Sequence, residues 1–141
     1  MQVTNTYNLP YEKVGENEPV CIADEAPFEI PESWEWVRLS DLCTIVNGFT
    51  PLRINPEFWN NGTVSWFTVE DIHSQGRRIT HTSQYITQSA LGKNTIRVLP
   101  PKTVLLCCTA SVGEYAITEI PLTTNQQFNG LVIKEQWQEY Y

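Results

Sequence analysis

The sequence predicts a β-rich α+β domain of twisted, mostly antiparallel sheets with a few short helices. Two features carry that prediction. Short windows rich in β-branched and aromatic residues recur at 64–72, 103–109, 114–118 and 131–133, and turn-formers such as Asn61-Gly62 and Pro100-Pro101 separate them. Helical signals are confined to single turns. The 141 residues match one domain and are enough to bury one core without disulfide staples.

Residues 1–30 are polar and acidic, are punctuated by Pro10, Pro19 and Pro27, and hold no sustained period. They read as an extended linker lying along another surface. Residues 31–141 form the folded domain. From Trp34 to Leu39 large apolar and polar residues alternate, which predicts a first strand with Trp34 and Trp36 on one face. Ser40 offers an N-cap for one helical turn through Cys43, followed by a strand over 44–47. The next stretch, 48–72, is broken twice by turn-formers and carries Trp59 and Trp66 seven positions apart. It predicts a loop anchored at its far end by a strand that runs to Ile72.

Residues 74–83 are the most polar window of the body and read as a loop or hairpin. A brief strand at 85–87 and a capped turn at 88–92, closed by Gly92, come next. Pro100 and Pro101 cannot donate to a ladder, so they turn the chain from 95–98 into its most apolar strand, 103–109, which is expected to be central. A return strand at 114–118, a break at Pro121 and a last strand at 131–133 complete the order. The end at Tyr141 reads as a cut from a longer parent.

Net charge is −7, yet its placement matters more than its size. Residues 1–41 hold nine acids and two bases, whereas the remaining hundred hold seven of each, with the bases bunched from Arg53 to Lys102. The acid is therefore in the leader, and a neutral body with clustered bases remains compatible with a polyanionic partner. No run of about 18 apolar residues predicts a membrane span. The N-terminus lacks the basic and apolar regions of an export signal, so a cytoplasmic location is expected. Adjacent Cys107 and Cys108, with Cys21 and Cys43 far apart, suit neither a disulfide nor a metal clip and read as buried, unreactive thiols. Asn61-Gly62-Thr63 matches a glycosylation sequon and reads as a turn.

A catalytic constellation is hard to assemble from these residues, so no enzyme activity is expected. His73 and His81 fall in a polar window without a cysteine or carboxylate at metal-ligand spacing. Ser111 lies in Ala-Ser-Val-Gly, not a nucleophile elbow, and no glycine loop of the phosphate- or dinucleotide-binding kind is present. Asn8-Leu9-Pro10-Tyr11 differs by one residue from the Asn-Pro-Pro-Tyr tetrad of amino-methyltransferases, but seven preceding residues leave no space for a cofactor loop. The polar and basic loop residues fit another chemistry. Arginine presents a fork to guanine O6 and N7, asparagine or glutamine pairs with adenine N6 and N7, and lysine or arginine holds phosphates. The candidate DNA-contacting residues are Thr50, Arg53, Gln75, Arg77, Arg78, Lys93, Asn94, Gln126 and Gln127.

Several short motifs in order carry a family likeness. They are Pro10-Tyr11-Glu12-Lys13-Val14-Gly15, Pro27 through Leu39 with Trp34-Glu35-Trp36, Gly48-Phe49-Thr50-Pro51, Trp59, Trp66 with Asp71, Leu99-Pro100, Thr103 through Leu106, Ser111-Val112-Gly113 and Asn125-Gln126-Gln127-Phe128. Through them the chain resembles a target recognition domain of the specificity (S) subunit of type I restriction-modification systems. The resemblance implies a non-catalytic reader of double-stranded DNA. In that family two such domains, joined by helical spacers, each read half of a split target. The implied partners are the methyltransferase (M) and restriction (R) subunits, with no membrane and no small-molecule substrate. S-adenosylmethionine, ATP and Mg are expected only on those partners, and no cofactor in this chain. The matched motifs fall on framework, so Trp59 and Trp66 are expected to prop up the basic window 74–84, which would do most of the reading. The alternatives are a protein-interaction module whose acidic leader docks without DNA, and the recognition domain of a single-chain restriction-methylation enzyme.

Overall fold

In the computed structural model the chain divides into two compact units, Met1–Arg38 and Leu39–Tyr141. The structure describes residues 10–93 and 97–140. In the first unit, β1 (Tyr11–Glu12) and β2 (Val20–Cys21) form a small antiparallel hairpin that interrupts the extended chain. Arg38 forks onto Glu12, at 2.7 and 2.8 Å, and reaches Glu25 at 2.9 Å. Those hydrogen bonds hold the Glu12 carboxyl below the usual carboxylate range. Phe28 and Trp36 meet edge to face at 5.1 Å. The strand expected over 34–39 does not form. Trp34 N–H donates to the Pro31 carbonyl and the residue stays 69% exposed, so the alternation has neither a ladder partner nor a buried face.

The second unit begins with α1 (Leu39–Leu42) and β3 (Cys43–Asn47); the expected turn and strand form, but the helix starts at Leu39, so Ser40 lies inside it instead of capping it, and Cys43 belongs to the strand. The loop from Gly48 leads through a 3-10 turn at Pro56–Phe58 into β4 (Val64–Phe67). The strand expected to reach Ile72 stops there, because α2 (Val69–Gln75) starts at once. Asp71 causes the switch. Its Oδ2 accepts the Thr68 N–H at 3.0 Å, satisfying an orphan donor of the helix start, and its Oδ1 accepts the Ser83 N–H at 2.8 Å. His73 thus lies on a helix, where Glu70 stands 3.8 Å away, rather than in a loop. The polar window that follows is only partly loop, since it contains β5 (Arg78–Ile79).

Next come β6 (Gln84–Ile86) and α3 (Gln88–Leu91), which ends at Gly92 with φ 58°. The remaining strands are β7 (Val104–Cys107), β8 (Tyr115–Thr118), β9 (Thr123–Thr124) and β10 (Phe128–Ile133). They form two sheets, ordered β3-β10-β7-β8-β5 and β6-β4-β9. Pairing is antiparallel except for β5 with β8 and β4 with β9. β7 is central in the larger sheet, as its apolarity predicts. β10 is longer than its apolar window because buried Gly130 continues the ladder, with the Leu99 side chain occupying the place of a Cβ.

Two apolar clusters hold the unit. One gathers Phe67, Ile72, Ile79, Leu99, Leu105, Ala116, Leu122 and Phe128; the other gathers Val64, Trp66, Ile86 and Leu91, with Phe49 and Trp59 against it. Adjacent residues on β4 point to opposite faces, so Trp66 enters one cluster and Phe67 the other. The cysteines divide: Cys43 and Cys107 are buried, but Cys21 and Cys108 are exposed, against the expectation of four buried thiols. Cys107 points inward from β7, Cys108 lies just past its end, and Cys21 sits on the exposed hairpin.

Candidate nucleic-acid interface

The loop after β3 is laid tightly on the chain ahead of β10. A Cβ on Gly48 would lie 1.9 Å from the Asn125 carbonyl oxygen, so only glycine permits this approach. Gly48 N–H donates to Phe128 O at 3.1 Å, and Phe49 N–H to Thr124 O at 2.7 Å. Two indoles grip the loop from beneath: Trp66 Nε1–H donates to Phe49 O at 3.0 Å and Trp59 Nε1–H to Leu52 O at 3.2 Å. At the far end Asn55 Oδ1 accepts the Glu57 N–H at 3.1 Å, capping the 3-10 turn that Pro56 begins. Residues 48–55 are therefore fixed at both ends and beneath, with Leu52, Arg53 and Ile54 exposed at the tip.

Arg53 is set by neutral groups. Its guanidinium lies 4.0 Å from the Trp59 ring centroid and 4.6 Å from that of Trp66, and Nη1 donates to Gln84 Oε1 at 2.8 Å. The rings meet edge to face at 5.1 Å, so the cation rests in an aromatic corner. Thr50 Oγ1 donates to Gln126 Oε1. Arg97 lies over Phe49 at 4.6 Å. Three segments outside the loop thus add polar or cationic side chains to it, at 84, 97 and 126.

The other sequence candidates have different surroundings. Gln75 braces its own turn, accepting from Thr80 N at 2.9 Å and donating to His81 O at 2.9 Å. Arg77 lies 4.2 Å over the Tyr115 ring and donates to its hydroxyl at 3.0 Å. Arg78, on β5, is ion-paired with Glu119. Gln127 shapes a turn with Asn125, its N–H donating to Oδ1 at 3.1 Å and its Oε1 accepting from Nδ2 at 3.2 Å. Lys93 is exposed beyond α3. Asn94 lies outside the described residues, as do Asn8 and Leu9 of the tetrad-like motif.

Thr50, Arg53 and Gln126 are therefore brought together, whereas Arg77 and Arg78 lie beside β8. The tryptophan pair holds Arg53, and Trp66 pairs across from Gln84, at the end of the window 74–84. Gln84 falls inside the window expected to read but is not among the named candidates, and Arg97 is absent from both. For Gln84 the signal is a long-range strand register that a local window does not contain. Among the described residues no three His, Cys, Asp or Glu side chains could together hold a metal ion.

A family profile described as type I restriction modification DNA specificity domain matches residues 31–141. The chain is similar to the specificity subunit of the type I restriction enzyme EcoprrI of Escherichia coli, at 33% identity over 107 residues, covering 76% of this chain and 26% of that protein. Similarity to the MjaIX specificity subunit of Methanocaldococcus jannaschii is 32% over 108 residues, covering 76% and 25%. The fold is like that of the HsdS subunit from Thermoanaerobacter tengcongensis, with TM-score 0.57 at 22% identity, covering 81% of this chain and 27% of that one. The chain spans about a quarter of the length of the curated relatives it matches.

Proposed function

The chain belongs to the type I restriction-modification DNA specificity domain family, and from that premise we propose that the face around residues 48–55 reads one half of a bipartite duplex target. In doing so it positions the DNA for methyltransferase and restriction subunits. The chain contributes recognition and no bond chemistry of its own; S-adenosylmethionine, ATP and Mg would be held by those partners. Residues 31–141 are the recognition domain, and residues 1–30 are the leader.

The observation that carries this reading is the convergence of Arg53, Gln84, Arg97, Thr50 and Gln126 on one braced loop. Among the described residues Arg53 is held by indole faces and an amide with no carboxylate partner, whereas Arg78 is ion-paired with Glu119. Base edges are read by forked donors and amides held in place, and phosphates by exposed cations, the role we give to Arg77 and Lys93. Gln75 and Gln127 serve the shape of neighbouring turns.

The test is selection from a pool of random duplexes at low ionic strength by the parent specificity subunit that carries this chain. Enrichment of a short contiguous motif that is lost when residues 48–55 are replaced is expected. Absence of any enriched motif would overturn the reading.

A further inference from the structure

We propose that Arg53 and Gln84 act as one unit that reads a guanine through the major groove. The proposal rests on the DNA-reading function above and adds which base is read and how. Arginine has no acceptor, so the 2.8 Å contact fixes the amide of Gln84: its oxygen faces Arg53 and its NH2 faces away. With the Gln84 oxygen turned toward Arg53, the groups the pair presents outward are donors: the remaining guanidinium N–H groups and the amide NH2. The indoles of Trp59 and Trp66, at 4.0 and 4.6 Å, restrain the guanidinium plane before any DNA arrives.

A fixed donor fork matches O6 and N7 of guanine, two adjacent acceptors. It mismatches adenine, whose N7 lies beside an N6 donor, and cytosine, which presents an N4 donor. A phosphate also offers acceptors, but the neighbours argue against one. Leu52 and Ile54, on either side of Arg53, are 60% and 85% exposed. Apolar side chains there suit base edges and thymine methyl groups, not a charged phosphate rim.

The experiment assembles the parent specificity subunit carrying this chain with its methyltransferase and reads the methylated motif from a random-sequence library. Wild type should require a G·C pair at one position of the half-site read by this chain. Arg53→Ala should relax that position alone, by roughly 10-fold or more in preference. Arg53→Lys should not restore it, because an ammonium is not a planar fork, and Gln84→Ala should relax the same position. Thermal melting checks folding; if Arg53→Ala unfolds, Arg53→Lys decides. An unchanged motif in Arg53→Lys, a half-site without a required G·C pair, or a uniform loss across all sequences with a salt slope shallower by about one, as for a phosphate contact, would each overturn the proposal. A wild-type assembly with no motif dependence on this chain would instead overturn the function on which it rests.

Discussion

At Gly48 and Asp71 a single residue type is fixed by the backbone around it: the close approach to Asn125 at one, two N–H donors at the other. At Gly48 an added methyl would meet the Asn125 carbonyl, and nothing short of backbone movement relieves it. Gly48→Ala is expected to lower stability by roughly 1–3 kcal/mol, read as a reduced midpoint in urea. Asp71 is 1% exposed and accepts from two backbone N–H groups. Asp71→Ala leaves both without that acceptor at a cost of roughly 1–3 kcal/mol, again measured by urea unfolding. Arg78→Ala removes an exposed ion pair and should change the midpoint little, within about 1 kcal/mol.

β4 shows how far a local pattern can be read. Its strand character was legible in Val64-Ser65-Trp66-Phe67, but its end was not, since Val69 and Ile72 suit a strand as well as a helix. The deciding signal was Thr68-x-x-Asp71, a capping-box spacing present in the sequence. α3 and β7 were legible because a glycine stop and an apolar run are local, whereas the turn at α1 was legible but its cap is not Ser40, since the helix starts one residue earlier. β5 was not, because Arg78–Ile79 becomes a strand only through its parallel partner β8. The failed strand at 34–39 is the converse case, alternation without a partner. Trp66, 1% exposed on β4, bears on both the core and the loop above it. Trp66→Ala should cost roughly 3–5 kcal/mol in unfolding.

β3 and β7 also divide the thiols, so brief alkylation of the native chain should label Cys21 and Cys108 and spare Cys43 and Cys107, as peptide mapping would show. Burial pushes the Cys43 thiol above its ordinary 9.0. A raised folded value means that its stabilising contribution is complete below the unfolded value near 9.0 and is lost as pH rises through the folded one. Wild type should therefore lose more stability than Cys43→Ala as pH rises above about 9, in denaturant midpoints taken at successive pH values.

Across the whole molecule, the acid of residues 1–41 and the clustered bases of the body explain why a net charge of −7 is a poor guide to DNA binding. The candidate face itself was only half legible. Thr50, Arg53 and Gln126 have the right chemistry in the sequence, but their meeting with Gln84 and Arg97 depends on strand registers and loop contacts between distant segments. If that face grips DNA as proposed, binding by the parent subunit should weaken steeply with salt, falling linearly in log–log form with a slope that counts its phosphate contacts. The most direct test exchanges residues 31–141 within the parent subunit for the corresponding segment of a relative with a different target, then maps the methylated motif of the assembled enzyme. The proposed function predicts that one half of the motif changes to the relative's and the other half stays. A motif unchanged in both halves would contradict it.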